Sequence, residues 1–265
     1  LEAVRHGAIT SASLMVTGES AAAAAAASKE LGLGLGLHVN LTEGVPAAAP
    51  TTVPSLLVEE VCHDGESRAV FCGKLGFRER LAGGKVDMAH VKVEVAAQLE
   101  RFMALMGSPP DHFDGHQHIH VLPGVCQALC DVLASTVRRC RLPTSFPADL
   151  ARVSDARRRA FYGTVSEQSV AARACFDASG VVYPEVFIGY GVMGAQCSTT
   201  AIEALLGEIP KGVASCEVMV HPGRRVPPGP AAGCGNGADD FSRSADRETE
   251  LAVVLDEGFR DRLRE

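Results

Sequence analysis

The sequence predicts an α/β fold built on a parallel sheet, either as a barrel or as an open sheet. Segments with the two-residue alternation of strands and segments with apolar residues at helical spacing follow one another through most of the 265 residues. Neither an internal repeat nor a linker interrupts the series, so we expect one domain over residues 1–265. An apolar fraction of 46% is typical of a globular protein.

The composition narrows the classes of partner. The formal net charge of −7 argues against binding to nucleic acid or to an anionic membrane, and no apolar run approaches the roughly twenty residues of a membrane span. The nine cysteines are irregularly spaced without a CxxC pair, which is typical of reduced thiols and favours a cytoplasmic location. We therefore expect a small-molecule partner, and the choice between a monomer and a homodimer stays open.

The first predicted elements are a strand, a helix and a second strand. Residues 1–6 look like the middle or end of a helix, residues 8–16 are compatible with a strand, and the alanine run 21–27 predicts a helix that ends near Gly32. Residues 31–41 then alternate, with leucine and valine on one face and glycine, His38 and Asn40 on the other. This strand carries its polar side chains at its C-terminal end.

The rest of the chain continues the alternation. Residues 42–84 predict loops, and residues 91–106 predict an amphipathic helix that ends at Gly107. The remaining predicted elements, in chain order, are a strand over 113–122, a helix from 125, an extended piece over 140–143, helices over 148–161 and 166–177, a strand over 185–190, a helix over 199–206, a strand over 215–221, a Pro/Gly-rich loop over 222–237, and a closing helix that buries Leu251, Val254, Leu255 and Leu263.

The strongest chemical signal is the sequence DHFDGHQHIH at residues 111–120, which contains four of the nine histidines. In a strand, His116, His118 and His120 share one face at spacings of about 6.5 Å, and Asp114 is near enough to accept a hydrogen bond from a ligating imidazole. The alternative is a histidine-rich core strand whose side chains are satisfied. Three histidines on one face beside an aspartate favour a metal site.

Two further predicted strands end in histidines. His38 and Asn40 end the leucine–glycine strand, while Glu217 and His221 share a face of the strand that precedes a Pro-Gly turn. Because ligands of parallel α/β proteins bind at the carboxyl ends of strands, we expect these residues to converge with His116. Such a constellation suits metal-assisted hydrolysis, in which one histidine protonates the leaving group.

Three motifs resemble those of the YdjC-like carbohydrate deacetylases, in sequence and in order. They are GLHVNLTEG at residues 36–44, DGHQHIHVLPGV at residues 114–125 and HPG at residues 221–223. GKLGFR at residues 73–78 and GCG at residues 233–235 resemble the animal-type members of this family, which also contains chitooligosaccharide deacetylases. The resemblance spans nearly the whole chain.

The resemblance implies a distorted (β/α) barrel, similar to a TIM barrel, that removes acetyl groups from N-acetylated amino sugars with a divalent metal, usually Mg²⁺, with Zn²⁺ as the alternative. By position, it implies His38 and His116 as metal ligands and His221 as the general acid. The other candidates, expected near the substrate or behind the ligands, are Asn40, Asp114, His118, His120, Arg141 and Glu217. For Arg141, a structural salt bridge is the alternative.

The chain departs from the family pattern at its start. Family members open with a strand ending in Asp-Asp-Phe-Gly, which is implied to supply a third metal ligand and a general base. This chain begins after that point, so the resemblance predicts a barrel without its first strand. Asp239-Asp240-Phe241 imitates the motif, but it follows the Pro/Gly-rich loop, and we interpret it as an exposed loop.

Two alternatives to a deacetylase stay open: another metallohydrolase on a similar barrel, such as a phosphoesterase, and an inactive fragment or degenerate homologue.

Overall fold

A computed structural model describes residues 2–61, 65–225 and 243–264. The strands are β1 (Ala12–Leu14), β2 (Leu35–Val39), β3 (Leu57–Val61), β4 (Ser67–Phe71), β5 (Phe113–Gly115), β6 (Val186–Ile188) and β7 (Cys216–Val218). The helices are α1 (Glu2–His6), α2 (Ala21–Leu31), α3 (Gly73–Ala82), α4 (Met88–Met106), α5 (Val125–Leu133), α6 (Pro147–Ala151), α7 (Ala156–Ala178), α8 (Thr199–Gly207), α9 (Asp246–Leu255) and α10 (Glu257–Arg262). Short 3₁₀ turns lie at Pro50–Thr52, Pro54–Leu56, His116–Val121 and Gly194–Gln196.

Parallel pairing organises the centre of the molecule, as the sequence predicts. Strands β1, β2 and β5 form one parallel sheet in that order, and β6 pairs with β7 in parallel. Isolated parallel bridges at Phe113–Cys140, Arg139–Val182 and Ser145–Phe187 link the two groups through residues 139–145. Within the described residues no pairing joins β7 back to β1, so the barrel predicted from the resemblance is not seen to close.

The glycines of β2 allow a second layer of side chains to lie against the strand. Leu35, Leu37 and Val39 are buried in the core on one side. On the other side, a Cβ at Gly36 would lie 2.3 Å from Nε2 of His112, far inside van der Waals contact. The alternation of leucine and glycine therefore reflects close packing, and it leaves His38 as the first large polar side chain along that face.

Helix α4 shows how the predicted helices form and end. Asp87 caps the helix, because its carboxylate accepts a hydrogen bond from the N–H of Ala89 at 2.8 Å. Its apolar stripe, which includes Val95 and Phe102, is buried in the core, and burial of each such side chain contributes about 1.5–3 kcal/mol. The helix ends at Gly107, which adopts the left-handed conformation with φ of 78°.

The strand predicted over 113–122 is wrong beyond its third residue. Strand β5 ends at Gly115, and Gln117 and His118 adopt left-handed φ values of 53° and 59° that no strand can contain. The segment turns inward here, so that His118 packs against core aromatic side chains. The three histidines of this segment therefore do not share a face.

Several other predicted elements also differ from the structure. The predicted helices over 148–161 and 166–177 are instead the short α6 and the continuous α7, which Asp155 caps by accepting from the N–H of Arg158 at 2.7 Å. The predicted loop 42–84 contains the antiparallel strand pair β3–β4 and helix α3. Helix α3 was not predicted because it contains Gly73 and Gly76, and glycine disfavours helix.

The closing helix is divided at Asp256, whose carboxylate accepts from the N–H of Phe259 at 2.6 Å and starts α10. Phe259 is buried in place of Leu263, which is 45% exposed. Most of the predicted loop 222–237, the GCG segment at 233–235 and Asp239-Asp240-Phe241 lie outside the described residues. No helix of the described chain is long and apolar enough to cross a membrane.

Candidate active site

A groove with a volume of about 1770 Å³ opens between β1 and β7. Its walls bring together most of the candidate residues, namely His38, Asp114, His116, Arg141, Glu217 and His221. Strands β1 and β7, the first and last of the parallel strands, thus border the same cavity. Asn40, His118 and His120 are buried rather than exposed in it.

Strand register places His38 beside Asp114. The two residues are partners in the parallel ladder between β2 and β5, and Nδ1 of His38 lies 2.7 Å from Oδ1 of Asp114. Burial by itself would raise the pKa of Asp114, but the charges of His38 and Arg141 outweigh it and hold the pKa well below its usual value. Asp114 is therefore an ionised acceptor, and Nδ1 of His38 donates to it.

The free edge of the His38 ring meets His116. Nε2 of His38 lies 3.3 Å from Nδ1 of His116, with the two rings inclined at 71°. On its far side, Nε2 of His116 lies 3.3 Å from Oε2 of Glu43, an ion-pair distance without hydrogen-bond alignment. Asp114 favours a proton on Nδ1 of His38, and Glu43 favours a proton on Nε2 of His116. Nε2 of His38 and Nδ1 of His116 then carry lone pairs that face each other across 3.3 Å.

This pair of facing nitrogens fits a shared cation. Two ligands at about 2.1 Å from one metal lie about 3 Å apart when they occupy adjacent coordination positions, which is close to the observed separation. A carboxylate behind each ligating imidazole is the usual arrangement in metalloproteins. Within residues 2–61, 65–225 and 243–264, however, no group of three or more His, Cys, Asp or Glu side chains is placed to hold a metal. The described residues thus present two nitrogens at the spacing of adjacent metal ligands, without a third side chain of these types placed beside them.

Arg141 joins the carboxylates of the groove. Its Nη1 lies 2.7 Å from Oδ2 of Asp114, and its Nε donates to Oε1 of Glu217 at 2.6 Å. Burial would lower the pKa of Arg141, but the two carboxylates outweigh this effect and raise it. Arg141 therefore forms the structural salt bridges that were the alternative interpretation. It also lines the groove, and its role near the substrate stays a prediction.

His118 and His120 are core residues. Both pKa values are lowered, chiefly because burial disfavours the protonated imidazole, and that of His120 falls to about 4. Nε2 of His120 donates to the carbonyl of Arg141 at 3.0 Å. Nδ1 of each ring has no hydrogen-bond partner among the described residues. These two histidines support the site from behind and do not enter the groove.

His221 lies on the opposite wall, three residues beyond β7. Its N–H donates to the buried carboxylate of Glu250, and its Nδ1 lies 4.0 Å from the same carboxylate. Burial lowers the pKa of His221, and the charges of Arg141 and Arg247 lower it further. Although the side chain is 36% exposed to the groove, these cations all act in the same direction. His221 is therefore neutral near pH 7.

The side chain of Asn40 forms hydrogen bonds with the loop after β2 and is not exposed in the groove. Its Oδ1 accepts from the N–H groups of Thr42 and Glu43, and its Nδ2 donates to the carbonyl of Glu43 at 2.6 Å. The residue is fully buried. Asn40 is therefore not exposed in the groove, and its contacts fix the position from which Glu43 reaches His116; a role behind the ligands stays a prediction.

Sequence reasoning missed three residues of the site. Ser13 donates to Asp114 at 3.2 Å from β1, Glu43 backs His116, and Glu250 anchors His221 from helix α9. The position of Glu43 just after a strand-end histidine could have indicated it. No local pattern indicates Glu250, because its role arises only when α9 packs beside residues 219–223.

Comparisons with known proteins agree with this architecture. The family model for "YdjC-like protein" matches residues 1–265. A carbohydrate deacetylase of Mus musculus is 41% identical over 261 residues, which covers 96% of this chain and 81% of the mouse protein. The carbohydrate deacetylase of Homo sapiens is 38% identical over 270 residues, which covers 99% and 81% of the two chains.

More distant relatives are bacterial. A chitooligosaccharide deacetylase of Serratia marcescens is 32% identical over 126 residues, which covers 47% of this chain and 45% of that protein. A crystal structure from Enterococcus faecalis V583, of a protein described as a candidate for cellobiose-phosphate cleavage, superposes with a TM-score of 0.69 at 19% identity. It covers 99% of this chain and 86% of its own, and it supports the fold alone.

Proposed function

Because the chain belongs to the YdjC-like protein family, we propose that it is a carbohydrate deacetylase, which hydrolyses the acetamide of N-acetylated amino sugars to acetate and a free amine. The animal relatives that carry this name are similar over nearly the whole chain. The observation that carries the proposal is the pair of facing nitrogens, Nε2 of His38 and Nδ1 of His116, with a carboxylate behind each ring.

In this proposal His38 and His116 would hold a divalent metal. When bound, the metal supplies Lewis-acid polarisation of the acetamide carbonyl and of the attacking water. Two imidazole ligands suit Zn²⁺, whereas Mg²⁺ prefers oxygen and would need a carboxylate in addition. We keep Mg²⁺ as the expected metal and Zn²⁺ as its alternative, on the condition that a further oxygen ligand completes the set.

His221 would move the proton that amide hydrolysis requires. Addition of water to the carbonyl carbon releases a proton, and cleavage of the C–N bond needs a proton on the departing nitrogen. The aspartate of an additional opening strand would accept the first proton as the general base and pass it to His221, which is neutral at the start and would donate it to the amine as the general acid. The nearby cations make the protonated ring a strong acid, which favours the second transfer. The cycle returns His221 to its neutral form.

Arg141 and Asp114 would keep the ligand face rigid. Asp114 fixes the His38 ring from behind, while Arg141 neutralises Asp114 and Glu217 at the base of the groove. The groove itself is open enough for a carbohydrate of more than one ring. The proposal also includes an additional strand between β1 and β7 that closes the barrel, since these two end strands border the same cavity.

The test is acetate release from N,N′-diacetylchitobiose in the presence of Mg²⁺ or Zn²⁺. In a version extended at the N-terminus by a strand ending in Asp-Asp-Phe-Gly, we expect release that a chelator abolishes and that His116→Ala abolishes as well. Hydrolysis of p-nitrophenyl phosphate without acetate release would instead favour the phosphoesterase alternative. Neither activity, in a folded protein loaded with either metal, would favour a homologue without catalysis.

A further inference from the structure

Two polar residues interrupt the buried stripe of helix α4. Glu94 and Gln98 lie one turn apart on the face that packs against the core, and both are fully buried. Neither side chain lines the groove. Burial of a carboxylate and an amide costs free energy unless hydrogen bonds satisfy their polar atoms. The partners of these two side chains therefore indicate why the helix carries them on its inner face.

Glu94 and Gln98 hold the two ends of the loop that follows β2. Oε1 of Gln98 accepts from the N–H of Asn40 at 3.0 Å, and its Nε2 donates to the carbonyl of Asn40 at 2.6 Å. At the far end of the loop, the carboxylate of Glu94 accepts from the N–H groups of Ala47 at 2.8 Å and of Ala48 at 2.9 Å. Nε2 of Gln98 also donates to Glu94 at 2.7 Å, which joins the two anchors.

The contacts of Glu94 favour its ionised form. Burial raises the pKa of Glu94, and the N–H donors of Gln98, Ala47 and Ala48 lower it. All three partners are donors, so a proton on the carboxyl group would displace one of them. Apolar side chains of similar volume often stabilise a core as well as buried charged groups do. We therefore attribute to this carboxylate the position of the loop more than the stability of the core.

The loop brings Glu43 to His116. The side chain of Asn40 holds the main chain of Glu43 on both sides, because its Oδ1 accepts from the N–H at 3.1 Å and its Nδ2 donates to the carbonyl at 2.6 Å. Oε1 of Glu43 then accepts from Gln117, and Oε2 lies 3.3 Å from Nε2 of His116. A continuous path of contacts thus runs from Gln98 through Asn40 and Glu43 to His116.

We propose that Glu94 and Gln98 are positioning residues, which hold Glu43 behind His116 and thereby keep the proton of that ring on Nε2. Nδ1 of His116 then presents its lone pair toward His38. The proposal rests on the proposed deacetylase function and adds two residues of helix α4 to its site. Both act through Glu43 and not on the substrate, because a carboxylate behind an imidazole fixes its tautomer.

The first test reads the His116 ring without metal or substrate. It uses the chain extended at the N-terminus by a strand ending in Asp-Asp-Phe-Gly, in its metal-free form. Nitrogen-15 NMR of the imidazoles reports which ring nitrogen of neutral His116 carries the proton, and we expect Nε2. Gln98→Met removes both contacts with Asn40, and Glu94→Gln replaces an acceptor of the loop with a donor. Each should lower the ratio of the Nε2-protonated to the Nδ1-protonated ring about tenfold.

Two variants of the same helix control for general effects. Glu100→Gln makes the same change at an exposed position, and Val95→Ala destabilises the core without removing a hydrogen bond of the loop. Both should keep the tautomer ratio of His116. A ratio unchanged in folded Glu94→Gln would overturn the inference, even if Gln98→Met failed to fold. An equal change in Val95→Ala would also overturn it, since any weakening of α4 would then suffice.

Titration of the same extended chain with Zn²⁺ tests whether Glu43 transmits the effect. Gln98→Met and Glu43→Gln should each lower the affinity for Zn²⁺ about tenfold. In a double-mutant cycle, Gln98→Met should add nothing in the Glu43→Gln background, because both substitutions remove the same contact with His116. Additive losses would show that Gln98 acts independently of Glu43 and would overturn the inference.

Acetate release measured in parallel separates the two proposals. A tautomer ratio that responds to Gln98→Met and Glu94→Gln, in a chain that neither binds Zn²⁺ nor releases acetate, would contradict the deacetylase function alone. Acetate release from the extended chain, with a tautomer ratio that both variants leave unchanged, would contradict the positioning role alone.

Discussion

His38 and Asp114 are register partners on neighbouring parallel strands, and their side chains meet at 2.7 Å between Nδ1 and Oδ1. The sheet ladder itself therefore fixes the distance between the imidazole and the carboxylate that orients it. This leaves Nε2 of His38 pointing at His116, where the two rings can share a ligand. The first prediction tests this relationship.

Asp114→Asn should weaken metal binding and destabilise the fold. Asparagine is neutral and cannot stabilise the proton on His38, so we expect metal affinity to fall about 10- to 100-fold. Arg141 would lose one buried ion-pair partner, and we expect the free energy of unfolding to fall by about 3 kcal/mol. Metal titration and urea unfolding measure the two effects. The exposed Asp111→Asn is the control, and an unchanged metal affinity in Asp114→Asn would show that the ion pair does not orient His38.

Substitution of the two groove histidines should separate metal binding from turnover. In a chain extended by an opening strand ending in Asp-Asp-Phe-Gly, His116→Ala removes a proposed ligand and should lower the bound metal per chain. His221→Ala should leave metal content unchanged and lower kcat about 100- to 10,000-fold, because proton transfer is lost. Metal analysis and acetate release are the measurements, with the exposed His6→Ala as the control. A metal site emptied by His221→Ala but filled in His116→Ala would reverse the assignment.

Stability should decrease on acidification because of His120. Its pKa is lowered from 6.5 to about 4, chiefly by burial, so the unfolded state binds the proton more readily than the folded state does. The stability contributed by the neutral ring is complete above pH of about 6.5 and is lost as the pH falls toward about 4, by up to about 3 kcal/mol. Urea unfolding between these pH values measures the slope.

His120→Gln should flatten that slope, because glutamine can still donate to the carbonyl of Arg141 but does not titrate. His118 titrates in the same sense and leaves a residual slope. His6→Gln, at an exposed position, should keep the full dependence. An identical pH profile in His120→Gln would mean that other groups cause the acid sensitivity.

Addition of a strand to the groove should restore a complete site. Strands β1 and β7 border the groove without pairing to each other in the described chain, and His38 and His116 alone are poor ligands for Mg²⁺. We expect residues 1–265 by themselves to be poorly soluble or to bind Mg²⁺ negligibly, without acetate release. A version extended at the N-terminus by a strand ending in Asp-Asp-Phe-Gly should bind Mg²⁺ and release acetate. Strong Mg²⁺-dependent release from residues 1–265 alone would falsify the need for that aspartate.

The sequence was informative wherever local pattern and strand direction decide the structure. Alternation predicted β2, and the rule that parallel strands end at one edge of a sheet predicted that His38 and His116 meet. Alternation failed at His118, because only packing against Phe187 and Tyr190 makes the left-handed turn favourable. The contact between His221 and Glu250 could not be predicted either, since 29 residues separate them and no periodicity connects α9 with residues 219–223.

The left-handed pair Gln117 and His118 links the chemistry of the groove to the order of the core. Two non-glycine residues in this conformation are strained by about 1–3 kcal/mol each, and the buried ring of His118 among aromatic side chains compensates for that strain. The contacts of His118 with Phe187 and Tyr190 in the core therefore hold the backbone that positions His116. A substitution that loosens the aromatic packing around His118 would let this turn relax and displace His116. Activity is therefore expected to depend on core residues that do not line the groove.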